Sequence, residues 1–296
     1  MSVGSSRVHK KIIHEFMGGL ILKALRVFRG LMAFLTAIPF KMDESFLDIS
    51  ARYMFLFPVI GAIIGFLVGL YARFTNNVLF FLFGYINTIV FSGSNEVLFE
   101  FVAKGLASAM TVAFILVIIG LQHTDGLVDV GNALGIRKAS LKEKMDIAHV
   151  WTVTRTGAFL ALLVSFFTLL LIFLIKTDVI IQALIVAEVS AKLAMVTTAW
   201  QGTSPPHRLE DKRGKGRSFI DFMRKNHGLY AISLIISLVV SIALLGLSGV
   251  LAVAAGILVG GFMIILGKQV FGGVNGDIFG ATNEIARMIA LLVLVI

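Results

Sequence analysis

The sequence contains no cysteine, only four prolines and two tryptophans, and only 15% charged residues in a chain of 296. Without cysteine there are no disulfides and no thiolate-bound metals, whatever the compartment. Scarce charge goes with 58% hydrophobic content and a mean hydropathy of +0.95, far more apolar surface than a soluble core can use. This predicts an all-α, polytopic helical membrane protein folded as a single integral-membrane domain over residues 1–296. The charge that is present is lopsided, 26 lysines and arginines against 17 acids. The bases fall in loops between apolar runs, as orientation signals and phosphate-binding loops do, so no nucleic-acid partner is expected. Lys23, Arg26 and Arg29 interrupt the first apolar stretch, and no cleavable signal peptide is expected there.

Residues 1–17 are polar and basic and predict a cytoplasmic tail. From Gly18 to Phe40 the bases recur every three residues along one side, which fits a helix lying in the interface, ended by Pro39. Tyr53 to Tyr71 predicts a span with Gly61, Gly65 and Gly69 on a close-packing face. Asn77 to Phe91 is apolar but short, and is open between a re-entrant, an interfacial and a tilted segment. Val97 to Leu121, Thr156 to Lys176, Asp178 to Trp200, Leu229 to Leu247, Val250 to Gly267 and residues 285–296 complete about seven transmembrane helices. Within the fourth of these spans, Glu188 and Lys192 stand at the i, i+4 spacing of an internal ion pair.

Three loops, 122–155, 201–228 and 268–284, carry the polar chemistry. The first opens with Gly120 to Leu134, GLQHTDGLVDVGNAL. If it is helical, Asp125, Asp129 and Asn132 project from one face. Two carboxylates four residues apart repel unless a cation lies between them, and magnesium is the hard cation that carboxylates, amide oxygens and substrate phosphates prefer. A solvated helix end is the plainer reading of such a cluster. Gly126 and Gly131 cost helix stability and are better explained if backbone must approach a ligand. The second loop, centred on PPHRLEDKRGKGRSF, supplies bases for phosphate, and Pro205 and Pro206 stop the preceding helix. The third surrounds Asp277 with Gly272, Gly273, Gly276 and Gly280. Span parity puts all three loops on one side, and the positive-inside rule makes that side cytoplasmic. Metal-binding acids, phosphate-binding bases and glycines are the parts that phosphoryl-group transfer requires.

The motif HTDGLVDVGNAL resembles the HxDGLxDxxDGL signature of the cobalamin synthase family, the adenosylcobinamide-GDP ribazoletransferases of vitamin B12 assembly. GGVNGDIFGATNE is similar to that family's GGxTGDxxGAxNE segment. FLTAIPF and FPVIGAIIG are similar to its LTRIP and FPxxGxxxG elements, so the resemblance runs from about Leu31 to Glu284. It implies joining of adenosylcobinamide-GDP to alpha-ribazole, or its 5′-phosphate, with release of GMP, at the cytoplasmic face of the cell membrane. It further implies Mg2+ held by Asp125, Asp129, Asn132 and Asp277, and substrate contacts from Arg155, Arg208, Lys215, Asn283 and Glu284. Catalytic roles fall to Asp125 and Asp129, with His123 a candidate general base; a homo-oligomer is compatible with the resemblance. Three departures stand out. Asn132 replaces an aspartate, Ala37 replaces an arginine, and VTRTG keeps Arg155 and Gly157 while placing Val153 where KDSRIG has its aspartate, with Asp146 the nearest substitute. CDP-alcohol phosphotransferases also present spaced aspartates at a helix end, but their DGxxAR pattern is not met by Asp125-Gly126-Leu127-Val128. A secondary transporter coupled through Glu188 and Lys192 would place its polar residues at the midplane, whereas most here gather at one interface.

Overall fold

A computed structural model describes residues 3–40, 46–136, 140–148, 153–206 and 215–296. Among these residues the chain is helical, with no strand. The helices are α1 (Val3–Leu35), α2 (Phe46–Arg52), α3 (Phe57–Phe91), α4 (Glu96–Ile119), α5 (Gln122–Leu134) and α6 (Leu141–Ala148), followed by α7 (Arg155–Leu174), α8 (Ile180–Gln201), α9 (Lys215–Lys225), α10 (His227–Phe271) and α11 (Gly276–Val295).

Six helical segments among the described residues are long and apolar enough to cross a membrane. The longest, α10, is broken at Gly246, whose φ of 56° and ψ of −129° lie outside helical space. A Cβ at Gly249 would collide with the carbonyl oxygen of Ser241, although eight residues of straight helix span about 12 Å. The chain therefore reverses at Gly246, and α10 is a hairpin of two spans. The protein is a multi-pass membrane protein, and with α10 divided there are seven candidate crossing segments among the described residues, in line with the about seven that the hydropathy pattern predicts.

The centre of the bundle is α8, which is buried on all sides and packs against α3, α10 and α11. A helix with no polar face belongs in such a position. Its neighbours approach through glycine. A Cβ at Gly65 would lie 2.5 Å from the carbonyl oxygen of Leu184, one at Gly61 2.7 Å from that of Glu188, and one at Gly260 2.8 Å from that of Ala194. The predicted face of Gly61, Gly65 and Gly69 thus lets α3 lie backbone to backbone on α8.

Several boundaries differ from those the sequence predicts. The helix α1 begins at Val3, so the predicted tail is mostly helical; nothing in the polar sequence breaks a helix, and Cβ atoms at Gly18 and Gly19 would meet no neighbour. It ends at Leu35, four residues before Pro39. Residues 53–71 and 77–91 are not separate elements: α3 runs unbroken through both, about 52 Å at helical rise. Its crossing part closes near Arg73, whose Nη1 donates to the carbonyl oxygen of Thr177 (2.5 Å) at the turn between α7 and α8. The remainder continues beyond that turn, paired with the start of α4. The basic loop also holds a helix, α9, whose Phe219, Ile220 and Met223 are buried. Phe219 stacks on Phe34 at 4.8 Å and contacts Phe57 and Phe279.

Candidate functional site

The acidic stretch is helical, as its spacing requires. Asp125 is exposed, Asp129 half-buried and Asn132 buried. Helix α5 lies across the beginnings of two other helices. Against its first half sits the start of α11: a Cβ at Gly126 would lie 2.7 Å from the carbonyl oxygen of Asp277, and one at Gly280 would lie 3.0 Å from the Cα of His123. Against its second half sits the start of α7, where a Cβ at Gly131 would lie 2.7 Å from the Cα of Gly157. The two glycines of α5 are therefore explained by helix contact and not by approach of a ligand. They let the α11 segment bearing Asp277 and the α7 segment bearing Arg155 pack directly on the acidic helix.

The three polar loops do come together. A Cβ at Gly273 would lie 2.5 Å from the carbonyl oxygen of Thr203, and the amide of Val274 donates to that same oxygen at 2.8 Å. A Cβ at Gly216, at the start of α9, would lie 3.3 Å from the backbone of Asn275. The LTRIP-like segment joins them, because the amide of Ala37 donates to the carbonyl oxygen of Ile118 (2.7 Å) one turn before α5.

Local hydrogen bonds fix the site's side chains. Asn275 caps α11, its Oδ1 accepting from the amide of Ile278 (3.0 Å), while its Nδ2 donates to Oδ2 of Asp277 (2.8 Å). Asp277 is thereby oriented in the first turn of α11, where the helix dipole favours a carboxylate. Thr154 caps α7 by accepting from the amide of Gly157 (3.1 Å). The Oδ1 of Asn132 accepts from both the amide (3.0 Å) and the hydroxyl (2.7 Å) of Thr154. Both lone pairs of that oxygen are used, so Asn132 anchors α7 to α5 and has no acceptor to offer a metal in this arrangement. Arg155 is exposed at the start of α7. Val153, at the family's aspartate position, is 63% exposed, and Asp146 is exposed on α6. Helix α6 is introduced by a reciprocal cap, in which Oε2 of Glu143 accepts from the amide of Ser140 (2.7 Å). Arg208 lies outside the described residues, as does the side chain of Lys215, the first residue of α9.

Beneath the acidic surface lies a closed ionic cluster that sequence spacing reveals only in part. Lys192 Nζ donates to Glu188 Oε2 (2.9 Å) and to Asn283 Oδ1 (2.7 Å). Arg287 bridges the Nε to Glu188 and the Nη1 to Glu284 (2.6 Å), and Asn283 Nδ2 donates to Glu284 Oε1 (3.2 Å). Two acids and two bases balance, which is how ionised groups are tolerated within a membrane bundle. Glu188 and Lys192 are paired as their spacing predicts, but within a larger group that also includes α11. Asn283 and Glu284, expected at the substrate, have their polar atoms engaged in this cluster, and both are buried. Arg287 was not singled out by the sequence pattern; its i, i+3 spacing from Glu284 is the signal that would have identified it.

His123 sits between the acidic surface and this cluster, only 8% exposed. Burial, followed by the positive charges of Lys192 and Arg287, lowers its pKa to about 3, so the ring is neutral at physiological pH. Such a group is a weak proton acceptor. Its Nδ1 is buried without a hydrogen-bond partner.

Among the described residues no three His, Cys, Asp or Glu side chains group closely enough to hold a metal by themselves. The donor set nonetheless fits magnesium in its usual protein setting, which is one or two carboxylates completed by water and substrate phosphates. Asp125 and Asp129 lie one helical turn apart on accessible surface, with the Asp277 segment packed beside them.

The chain is 28% identical over 293 residues to an adenosylcobinamide-GDP ribazoletransferase of Methanosarcina barkeri, covering 92% of each chain. It is 28% identical over 290 residues to that of Methanococcoides burtonii, covering 95% of this chain and 94% of the relative. To that of Thermoplasma acidophilum it is 30% identical over 195 residues, or 65% of this chain and 72% of the relative. No solved structure matches. The family model described as cobalamin-5-phosphate synthase matches residues 27–295, and the chain belongs to that family.

Proposed function

We propose that this chain is an adenosylcobinamide-GDP ribazoletransferase. It joins adenosylcobinamide-GDP to alpha-ribazole, or to alpha-ribazole 5′-phosphate, and releases GMP. The observation that carries this reading is the packing of the Asp277 segment onto the Asp125–Asp129 helix through Gly126, which unites the two family motifs into one surface. Full-length similarity to relatives bearing that name supports it.

In this reading the 3′-hydroxyl of the ribazole attacks the diphosphate phosphorus nearest cobinamide. A new phosphorus–oxygen bond forms, the bridging bond breaks, GMP departs with the electron pair, and the hydroxyl proton passes to water or to the departing phosphate. Asp125, Asp129 and Asp277 would hold Mg2+ against the diphosphate. When bound, that ion supplies neutralisation of the charge building on the phosphate oxygens. Arg155, Arg208 and Lys215 add positive charge. The starts of α7 and α11, both packed on α5, add their dipoles in the same sense. Asn132, Asn283 and Glu284 act by position: the first holds α7 on α5, Asn283 holds α11 on α8 through Lys192, and Glu284 holds Arg287 in place to reach Glu188 of α8. His123, kept neutral, serves the same packing and not proton removal, which a loose phosphoryl-transfer transition state needs little of at the outset.

The site faces the cytoplasm of the cell membrane in this reading. Among the described residues, Arg52, Lys142, Lys144, Arg155, Arg217, Arg224, Lys225 and Lys268 lie on segments that carry or adjoin the site, whereas Arg73 and Lys176 lie at the opposite turn, which supports that orientation. The test is turnover of Asp125→Ala and Asp129→Ala proteins shown to be folded. A loss of about 100-fold or more is expected from removing a metal ligand, and full turnover in both would refute the assignment.

A further inference from the structure

Away from the site, α1 and the beginning of α3 enclose a groove of about 390 Å³ lined by Ala24, Val27, Leu31, Leu56, Val59 and Ile60, with Lys23 and Tyr53 at one end. A second hollow, of about 400 Å³, shares Lys23, Val27 and Tyr53 and adds Arg26, Asp48 and Arg52. The two form one continuous feature, apolar at one end and basic at the other. Among the described residues its polar end carries Lys23 and Arg52 beside the carboxylate of Asp48, with Arg26 next to them. Its apolar end follows the start of the first candidate span, Met54–Phe91, from Leu56 to Ile60, so the basic end lies at the mouth of that span and the apolar end within it. Helix α1 is not among the crossing segments, and it exposes Ile21, Leu22, Leu25 and Phe28 beside its bases, as an interfacial helix does.

We propose that this groove is a binding site for one anionic phospholipid. Its phosphate meets Lys23 and Arg52, its acyl chain lies along Val27, Leu31, Leu56 and Ile60, and Tyr53 marks the boundary between them. Charge complementarity selects the occupant: an excess of cations at the headgroup level among the described residues favours an anionic lipid, by roughly fivefold per base in excess. Depth selects the tail, because an apolar groove that opens at the bilayer boundary is filled by an acyl chain. The proposal is independent of the reaction catalysed.

The full chain in mild detergent is titrated with phosphatidylglycerol or phosphatidylcholine, and bound lipid is counted by native mass spectrometry. One phosphatidylglycerol is expected to bind about fivefold more tightly than phosphatidylcholine. The double variant Lys23→Gln/Arg52→Gln should remove that preference, while Lys268→Gln, an exposed cation at the end of α10, should retain it. Ala24→Trp, which fills the apolar end and leaves every charge in place, should weaken binding of both lipids and carries the test if the double variant does not fold. Equal affinity for the two lipids, or undiminished phosphatidylglycerol binding by the double variant or by Ala24→Trp, would overturn the proposal.

Discussion

Replacing Gly126 by alanine adds one methyl group at the point where the two acidic segments meet. That carbon would lie 2.7 Å from the carbonyl oxygen of Asp277 and 3.0 Å from its Cα, whereas ordinary contact begins near 3.4 Å. Backbone cannot swing aside as a side chain does, so α11 must move away from α5 by about 0.7 Å at this point. The expected cost in stability is about 1–3 kcal/mol, typical of overpacking. The greater effect should fall on turnover, since displacing a group by a fraction of an ångström from the geometry for transfer can cost about 10- to 100-fold. Gly84→Ala is the matched control: it lies on the exposed face of α3, where a Cβ meets nothing within 4 Å, and should be neutral or stabilising by up to about 1 kcal/mol. GMP release at saturating magnesium and thermal unfolding in the same detergent measure the two effects. If Gly126→Ala turns over as fast as Gly84→Ala, the contact between α5 and α11 does not set the geometry of the site.

Three further outcomes are expected. Glu188→Gln leaves Lys192 and Arg287 buried with one acid between them and should cost about 3–5 kcal/mol in detergent unfolding; a change below about 1 kcal/mol would mean the cluster is open to water. Asn132→Leu removes both acceptor bonds to Thr154 and should cost about 1–3 kcal/mol, whereas Asn132→Asp keeps the acceptors and should be closer to wild type; equal losses would show that the amide acts through something other than Thr154. His123 titrates near 3 when folded and near 6.5 when unfolded, so the unfolded chain binds the extra proton between these values. Its contribution to stability is full above pH 6.5 and is lost as pH falls, by up to about 1.4 kcal/mol per unit. His123→Asn should flatten the dependence of Tm on pH in that window, and an unchanged slope would contradict the assignment.

Much of the fold is written in hydropathy, because apolar runs have to match the bilayer thickness whatever their neighbours. Gly61, Gly65 and Gly69 announce their role through spacing alone. The glycines of α5 do not, since a helix that needs close contact at Gly126 and Gly131 has the same local sequence as one that receives a ligand; only the facing backbones of Asp277 and Gly157 distinguish them. Helix α9 is hidden in the sequence for a different reason. Pro205, Pro206 and dense charge dominate that stretch, while the buried triplet Phe219, Ile220 and Met223 is short, though its helical spacing is legible in hindsight. The carboxylates of Asp125, Asp129 and Asp277 stand on accessible or half-buried surface, as their clustering predicts. Asn283 and Glu284 lie in the same motif as Asp277, but one and a half turns or more further along α11, which carries them below the surface, Asn283 to Lys192 of α8 and Glu284 to Arg287. A contiguous motif read along the chain does not reveal that change of depth.

The central claim is tested most directly by supplying the purified, lipid-reconstituted protein with adenosylcobinamide-GDP, alpha-ribazole and magnesium, with Asp125→Asn alongside. GMP release matched mole for mole by a cobalamin product, and abolished in the variant, is the predicted result. Folded wild-type protein that yields neither GMP nor a cobalamin product would contradict it.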